Sequence, residues 1–216
     1  MRALLGGLLV LVSVLGISDL VPAARSPFLQ AWSAYLKVLG TWPLLTKCCT
    51  SMAGFAIGDL LAQYLAGMRW DYSRTACFMA YGWILHAPGC HYFYRLLDRI
   101  VMPDQPKSVA AVVLKILLDR LLFTPVNMAA LFMFTGVVEG QSLRRIVLTA
   151  GNRLPYLWLV SNAVWPAAHA LNFRYVPSEH RVLFVNGVSI LWNVVVCGVV
   201  GRGSSPPVKL RLKSRP

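Results

Sequence analysis

Four long apolar runs alternate with short polar stretches along the chain. A membrane-spanning helix needs roughly 20 apolar residues, and each run meets or exceeds that length. The runs therefore predict an all-α fold, an integral membrane helical bundle with four core spans, in which Pro125 kinks the third span. The four runs cover residues 41–67, 75–97, 108–138 and 181–200.

A fifth apolar run, residues 154–173, has the length of a span but contains Asn162, His169 and Asn172, with Pro166 in its middle. Irregular backbone is tolerated at membrane depth only where protein or trapped water covers it. The run therefore predicts a broken or tilted helix packed against the bundle instead of a lipid-facing span. With four spans, both termini are expected on the same side of the membrane.

The two ends of the chain differ from the bundle between them. Residues 3–18 are apolar, which fits either a cleaved targeting segment or a short uncleaved anchor. An amphipathic approach helix is expected at 28–41. Lysines and arginines beside a span favour anionic lipid, so the basic tail is expected to bind it. The chain thus divides into an apolar N-terminal extension (1–27), the membrane helical bundle (28–201) and the basic tail (202–216).

The composition points to the lipid bilayer as the main partner. Apolar residues make up 57% of the chain and charged residues only 13%, whereas soluble domains carry roughly 25% charged residues. The net charge of +13 would suit nucleic acid. However, the sequence has no basic groove interleaved with exposed aromatics, so no nucleic-acid partner is expected.

Motifs typical of enzymes and cofactor sites are missing from the sequence. It contains no H-E-x-x-H, no G-x-S-x-G and no P-loop pattern. The five cysteines are odd in number and form no C-x-x-C, so neither a disulfide framework nor a metal site is expected. These features predict a protein that is not an enzyme and that holds no cofactor.

Three ionised residues, Lys115, Asp119 and Arg120, lie inside the third apolar run. At about 100° per residue, Lys115, Asp119 and Asn127 fall along one face of the helix. A charge that faces lipid costs several kcal/mol, so this face is expected to turn toward protein or water. Lys115 and Asp119 are one turn apart and can pair, although lysine before aspartate is the less favourable order, whereas Arg120 needs a carboxylate or carbonyl on a neighbouring helix.

The first span supplies a candidate partner for these charges. Asp59 and Gln63 lie one turn apart on it. Because a buried carboxylate needs a cation or several donors, Asp59 is an expected partner of Arg120 or Lys115.

The remaining candidates concern packing and the second span. Gly54 and Gly58 form a G-x-x-x-G pattern that lets another helix approach closely. His91 adds polar character to the second span, one turn before Arg95. Two interpretations of all these polar residues are open: they lock the helices together, or they line a path for a solute.

Several stretches resemble one known family when they are read in order. They are "YLKVLGTWPLLTK" with "GDLLAQ" (35–63), "PGCHYFYRLLD" (88–98), "LLDRLLFTP" (117–125), "EG" (139–140) and "VWPAAHALNFRYVPSEHRVLFVNGVSILW" (164–192). The chain is similar in these stretches to the Mpv-seventeen and peroxisomal-membrane-protein-twenty-two family of small organelle membrane proteins.

The resemblance implies a four-span helical fold in the mitochondrial inner membrane or, as the alternative, in the peroxisomal membrane. It also implies a weakly selective channel for small solutes or metabolites that serves organelle homeostasis. The alternative is a non-conducting scaffold or assembly subunit, and both a homo-oligomer and a larger membrane complex are left open. The polar positions of the family fall on Asp59, Gln63, His91, Asp119, Asn172, Arg181 and Asn186 of this chain.

The chain departs from the family pattern in the fifth apolar run. Asn162 and Ala163 stand where relatives commonly carry tryptophan and a basic residue, and His169 replaces a common glutamine. If the missing basic residue tunes an anion path, the solute preference of this chain differs from that of its relatives.

Overall fold

Helices make up all the regular structure in residues 27–200, the part of the chain that the structure, a computed structural model, describes. Within this part, the side chains of residues 28–29 and 193–200 are not described. The predictions for residues 1–26 and for the basic tail lie outside the described residues. The helices are α1 (Pro27–Thr41), α2 (Pro43–Leu65), α3 (72–100), α4 (Val109–Val138), α5 (Leu143–Ser161), α6 (Trp165–Tyr175) and α7 (Arg181–Val200).

The helices occur at the positions in the sequence that the apolar runs predicted. The expected approach helix is α1, and the four predicted spans correspond to α2, α3, α4 and α7. By length and composition, α2 and α4 are the helices in the described residues that are long and apolar enough to cross a membrane. The part of α7 whose side chains are described, Arg181–Trp192, is a shorter apolar helix.

Helices α3 and α4 each contain a π-helical turn in front of a proline. In α3 the turn Gly82–His86 precedes Pro88, and in α4 the turn Asp119–Phe123 precedes Pro125. Proline has no N–H to donate, and its ring clashes with a carbonyl of the preceding turn. A π turn widens the helix locally and often marks a functional site. The kink predicted at Pro125 therefore takes the form of a π turn just before it.

Short polar residues and prolines fix where the helices begin. The side chain of Asp71 accepts a hydrogen bond from the backbone N–H of Arg74 at 2.9 Å, which caps α3. The Ser108 hydroxyl does the same for α4 through the N–H of Ala111 at 3.2 Å. Pro166 lies in the first turn of α6, where its missing N–H costs nothing.

The directions of α2, α3 and α7 follow from their contacts. Lys47 near the start of α2 contacts His91 on the second half of α3, so these two helices are antiparallel. Helix α7 packs most extensively on α2, and a Cβ on Gly54 would lie 3.3 Å from Cβ of Asn186. The close approach predicted for the glycine strip of α2 is therefore found at Gly54, with α7 as the neighbour.

We name the two ends of the bundle by their acidic residues. The Asp98 end contains Asp98, near the last turn of α3, together with the starts of α2, α4 and α7. The Asp59 end contains Asp59, near the last turns of α2, together with the start of α3. Arg181, the first residue of α7, bonds to Asp98, and so α2 and α7 run parallel from the Asp98 end.

Residues 143–175 cross the bundle as the broken helix pair α5 and α6. Ile146 packs against Gly136 near the Asp59 end, Ser161 contacts Arg120, and Arg174 donates to the carbonyl of Lys107 at the Asp98 end. The predicted break is confirmed and falls at residues 162–164, although the helix begins earlier than predicted, at Leu143.

The crossing of α5 and α6 changes the predicted topology. Helix α2 begins at the Asp98 end, and α7 also begins there and runs toward the opposite end. The first residue of α2 and the last residue of α7 therefore lie at opposite ends. Both termini were expected on one side, and the difference arises because 143–175 was not counted as a crossing.

Apolar side chains cover the outside of the bundle, and charged side chains lie within it. Leu121 and Val126 on α4 are 59% and 68% exposed, whereas Lys115 and Asp119 on the same helix are 0% and 1% exposed. Large apolar surfaces without a partner are unfavourable in water. The distribution therefore fits a bundle surrounded by lipid, and it confirms that Lys115 and Asp119 face inward.

Candidate functional site

A cavity of about 170 Å³ lies between the helices, near the middle of α3 and α4. Both π turns contribute to its wall, since His86 ends the first turn and Asp119 and Arg120 begin the second. On this measure a cavity of roughly 15 Å³ already holds a water molecule, so this one has room for several. Its polar lining comprises Tyr81, His86, Asp119, Arg120, Thr124, Asn127, His169 and Ser189, and its apolar wall includes Phe55, Tyr94, Phe123, Trp165 and Trp192.

Asp119 is the carboxylate of the cavity. Its Oδ1 accepts a hydrogen bond from the Thr124 hydroxyl at 3.0 Å and lies 3.1 Å from Nε2 of His169 on α6. Its Oδ2 and the Nδ1 of His169 are buried without a partner among the described residues. Buried polar atoms are nearly always satisfied by protein or water, so these two atoms are an exception in the interior of the bundle.

The Arg120 guanidinium bonds to neutral groups. Its Nε donates to Oδ1 of Asn162 at 2.9 Å, and its two terminal nitrogens donate to Thr124 and Ser161. The predicted carbonyl partner on a neighbouring helix is therefore the side-chain amide of Asn162. The expectation that Asp59 pairs with Arg120 is wrong, because α2 places Asp59 near the far end of the bundle.

Tyr81, His86 and Asn127 form a second polar group on the cavity wall. The Tyr81 hydroxyl donates to Oδ1 of Asn127 at 2.8 Å, and Nδ2 of Asn127 lies 3.5 Å from Nδ1 of His86. Asn127 was predicted to share the face of Asp119, and both do line the cavity. Tyr81 was not identified from the sequence, because a tyrosine within an apolar run gives no signal of its direction.

Lys115 does not form the pair with Asp119 that the sequence allows. It donates to Oδ1 of Asp98 at 2.8 Å and to the carbonyl of Pro106 at 3.1 Å. Arg181 donates to both oxygens of Asp98, at 2.8 and 2.7 Å. A lysine side chain on a helix extends toward the helix N-terminus, which carries the Lys115 ammonium to the Asp98 end and away from Asp119.

This group of Asp98, Lys115 and Arg181, which we call the charge lock, joins α3, α4 and α7. Burial raises the pKa of Asp98, but the hydrogen bonds and charges of Arg181 and Lys115 outweigh burial and hold that pKa below its usual value. The carboxylate is therefore ionised at neutral pH. Asp98 lies just past the predicted second span, and for that reason the sequence pattern did not single it out.

Asp59 belongs to another group at the opposite end. Its Oδ1 pairs with Nε of Arg74 at 2.8 Å, and its Oδ2 accepts from Nε2 of Gln63 at 2.6 Å and from the Thr75 hydroxyl at 2.7 Å. These contacts join the end of α2 to the start of α3. The predicted neighbours Asp59 and Gln63 are thus together, with Arg74 as the cation.

The other predicted residues lie in separate packing contacts. His91 accepts from Lys47 at 3.1 Å, and the Asn186 side chain donates to Ser51 at 2.9 Å. Asn172 is fully buried, with neither side-chain polar atom partnered among the described residues. Gly58 is buried within α2.

Within residues 27–200, no group of three or more His, Cys, Asp or Glu side chains is placed to hold a metal ion.

A helical bundle with buried charges and an apolar exterior is typical of a membrane protein. The model of the Mpv17 / PMP22 family matches residues 136–197, and relatives match most of the chain. PXMP2/4 family protein 2 of Dictyostelium discoideum is 32% identical over 76% of this chain and 88% of its own length. The chain therefore belongs to this family, as the resemblance implied.

Two further relatives carry names that state a membrane. Peroxisomal membrane protein 2 of Bos taurus is 30% identical over 76% of this chain and 86% of its own length. Mitochondrial inner membrane protein Mpv17 of Caenorhabditis briggsae is 31% identical over 70% of this chain and 82% of its own length. No solved structure matches the chain.

Proposed function

We propose that the protein is a non-enzymatic channel of the mitochondrial inner membrane, with the peroxisomal membrane as the alternative, and that its central cavity is part of a path for small polar solutes. The names of the relatives support both locations. We further propose that the apolar runs within α2, α3, α4 and α7 are its four core spans and that the broken pair α5 and α6 crosses the membrane beside them. The broken pair α5 and α6 then covers the side of α4 that carries Arg120.

The observation that supports the channel best is a pair of buried polar atoms, on two residues that line the cavity, that have no partner among the described residues. Asp119 and His169 are 1% and 3% exposed, yet each leaves one polar atom without a partner in the part of the chain that the structure describes. In lipid such atoms are costly unless they are hydrated. The cavity lies between the two π turns and has room for water, so it is suited to form part of a path for small polar molecules.

The paired charges support the alternative function, a non-conducting scaffold. The charge lock and the Asp59–Arg74 pair each join different helices, as helix-locking residues do. A scaffold of this kind would act within a homo-oligomer or a larger membrane complex. The two functions differ in what they require of the cavity. A channel needs it to be open, whereas a scaffold does not.

Release of a solute from liposomes tests the channel. Liposomes that contain the purified protein are loaded with glycerol, and its efflux is compared with that from protein-free liposomes. Met128 lines the cavity, so Met128→Trp is expected to slow efflux by filling it. Met133 lies on the same helix but is 40% exposed, so Met133→Trp is the matched control and is expected to leave efflux unchanged.

Two results would reject the channel. One is efflux that does not exceed that of protein-free liposomes. The other is equal efflux from the Met128→Trp and Met133→Trp proteins when both are folded.

A further inference from the structure

A buried lysine lies at the Asp98 end, and no carboxylate of the described residues forms an ion pair with it. Lys47 on α2 is 5% exposed, and its Nζ is 3.1 Å from Nδ1 of His91. Among the described residues, no carboxylate lies within ion-pair distance of Lys47. Since an ammonium only donates, Nδ1 of His91 accepts, and the remaining ammonium hydrogens have no acceptor of opposite charge.

The surroundings of Lys47 carry an excess of positive charge. Arg95 is exposed on α3, one turn beyond His91, and its charge acts on both Lys47 and His91. Asp98 is occupied by the two cations of the charge lock. Glu179, in the turn before α7, is the remaining carboxylate that attracts Lys47. Four cations therefore share two carboxylates here, and this excess of positive charge favours an added anion. The cations are Lys47, Arg95, Lys115 and Arg181, and the carboxylates are Asp98 and Glu179.

An apolar groove of about 660 Å³ lies on the outer surface, and its lining includes Cys48, the residue that follows Lys47. It lies between α2 and α3, and its lining includes Trp42, Leu44, Leu45, Cys48, Ile84 and Pro88. Pro88, His91 and Arg95 follow each other at spacings of three and four residues, which places them on one side of α3. The groove therefore leads along α3 toward the basic residues.

We propose that this groove and the adjacent Lys47, His91 and Arg95 form a binding site for one anionic phospholipid. An acyl chain lies along the groove between α2 and α3, and the phosphodiester accepts hydrogen bonds from Arg95 and Lys47. Basic pockets between membrane helices are known to bind the headgroups of anionic lipids. The site is separate from the central cavity and does not depend on the proposed solute path.

Binding of matched lipids to the full-length protein tests this site. Phosphatidylglycerol and phosphatidylcholine with identical acyl chains are titrated into the protein in neutral detergent, and bound lipid is counted by native mass spectrometry. Phosphatidylglycerol is expected to bind more tightly. Arg95→Gln is expected to weaken that binding about fivefold, from one surface charge. The control Arg144→Gln removes an exposed arginine at the other end and is expected to change nothing.

A second pair of variants tests whether the acyl chain uses the groove. Ile84 lines the groove and is 56% exposed, so Ile84→Trp is expected to displace phosphatidylglycerol. Leu121 is 59% exposed on α4, away from the groove, and Leu121→Trp is its control. Because Lys47 is buried and its substitution risks unfolding, these exposed positions carry the test.

Three outcomes would overturn the site. They are equal binding of the two lipids, unchanged binding in the Arg95→Gln protein, and thermal stabilisation by soluble glycerol phosphate as strong as that by phosphatidylglycerol. The last result would show that the site binds an anion and does not require an acyl chain.

Discussion

Trp158 on α5 donates its indole N–H to the backbone carbonyl of Arg120 on α4, with Nε1 2.8 Å from the oxygen. Arg120 is the second residue of the π turn, in which the N–H of Thr124 bonds to the carbonyl of Asp119. The next residue, Pro125, has no N–H. The carbonyl of Arg120 therefore has no helical donor at the α or π spacing, and Trp158 on the neighbouring helix satisfies it.

Trp158→Phe is expected to destabilise the protein by about 1–3 kcal/mol, because it leaves the carbonyl of Arg120 unsatisfied in the interior. The free energy of unfolding in detergent measures the change. Trp70 is 51% exposed, and Trp70→Phe serves as the control, with a change near zero. In a Pro125→Ala background the loss is expected to be smaller, since alanine restores a backbone N–H; equal losses in both backgrounds would contradict this explanation.

Much of the fold could be predicted, because membrane-spanning helices need long apolar runs. The same reasoning predicted the inward direction of Lys115 and Asp119, since a charge facing lipid is costly. The partners of these residues could not be predicted in the same way. Lys115 reaches Asp98 and Asp119 reaches His169 because of which helices lie opposite them, and a helical pattern along one chain does not contain that information.

The π turns and the crossing of α5 and α6 were the main features that the sequence pattern did not predict. A π turn shifts the faces of the helix that follows it, which alters any face assigned at 100° per residue. Residues 143–153 contain three arginines, so their hydropathy gave no sign of a helix that packs along the second half of α4. The cavity forms where these two features meet, and its polar lining was therefore predicted only in part.

Asp98→Asn is expected to destabilise the protein by about 2–4 kcal/mol. The change leaves Lys115 and Arg181 buried without their anion, which is costly, although the 27% exposure of the Asp98 side chain reduces the loss. Asp104 is exposed and lies in the next loop, so Asp104→Asn is the matched control. Equal unfolding free energies for the two variants would show that the charge lock contributes little.

The stabilisation from Asp98 is expected to depend on pH in the acid range. Because the folded-state pKa of Asp98 lies below its usual value, its contribution is fully present above about pH 4 and is lost as pH falls through the lower folded-state pKa. The stability difference between wild type and Asp98→Asn should therefore be constant from neutral pH to pH 5 and shrink below pH 4. A difference that already shrinks between pH 7 and pH 5 would contradict this assignment.

The path of residues 143–175 predicts which loops share a side of the membrane. The contact between Arg174 and Lys107 places the loop after α6 beside the loop before α4, whereas Glu139 lies at the opposite end of α4. In a protein whose native cysteines are replaced by alanine, Asp104→Cys and Ser178→Cys are expected to react with an impermeant maleimide from one side. Glu139→Cys is expected to react only from the other side.

If Ser178→Cys reacts from the same side as Glu139→Cys, residues 143–175 do not cross the membrane. Such a result would also separate Arg181 from Asp98, since Arg181 follows Ser178 by three residues and Asp98 lies near Asp104. The Asp98→Asn protein supplies an internal check on this point. If the loops that contain Asp104 and Ser178 share a side, the labelling pattern and the loss of stability in the Asp98→Asn protein have one cause. That cause is the contact of α7 with the end of α3.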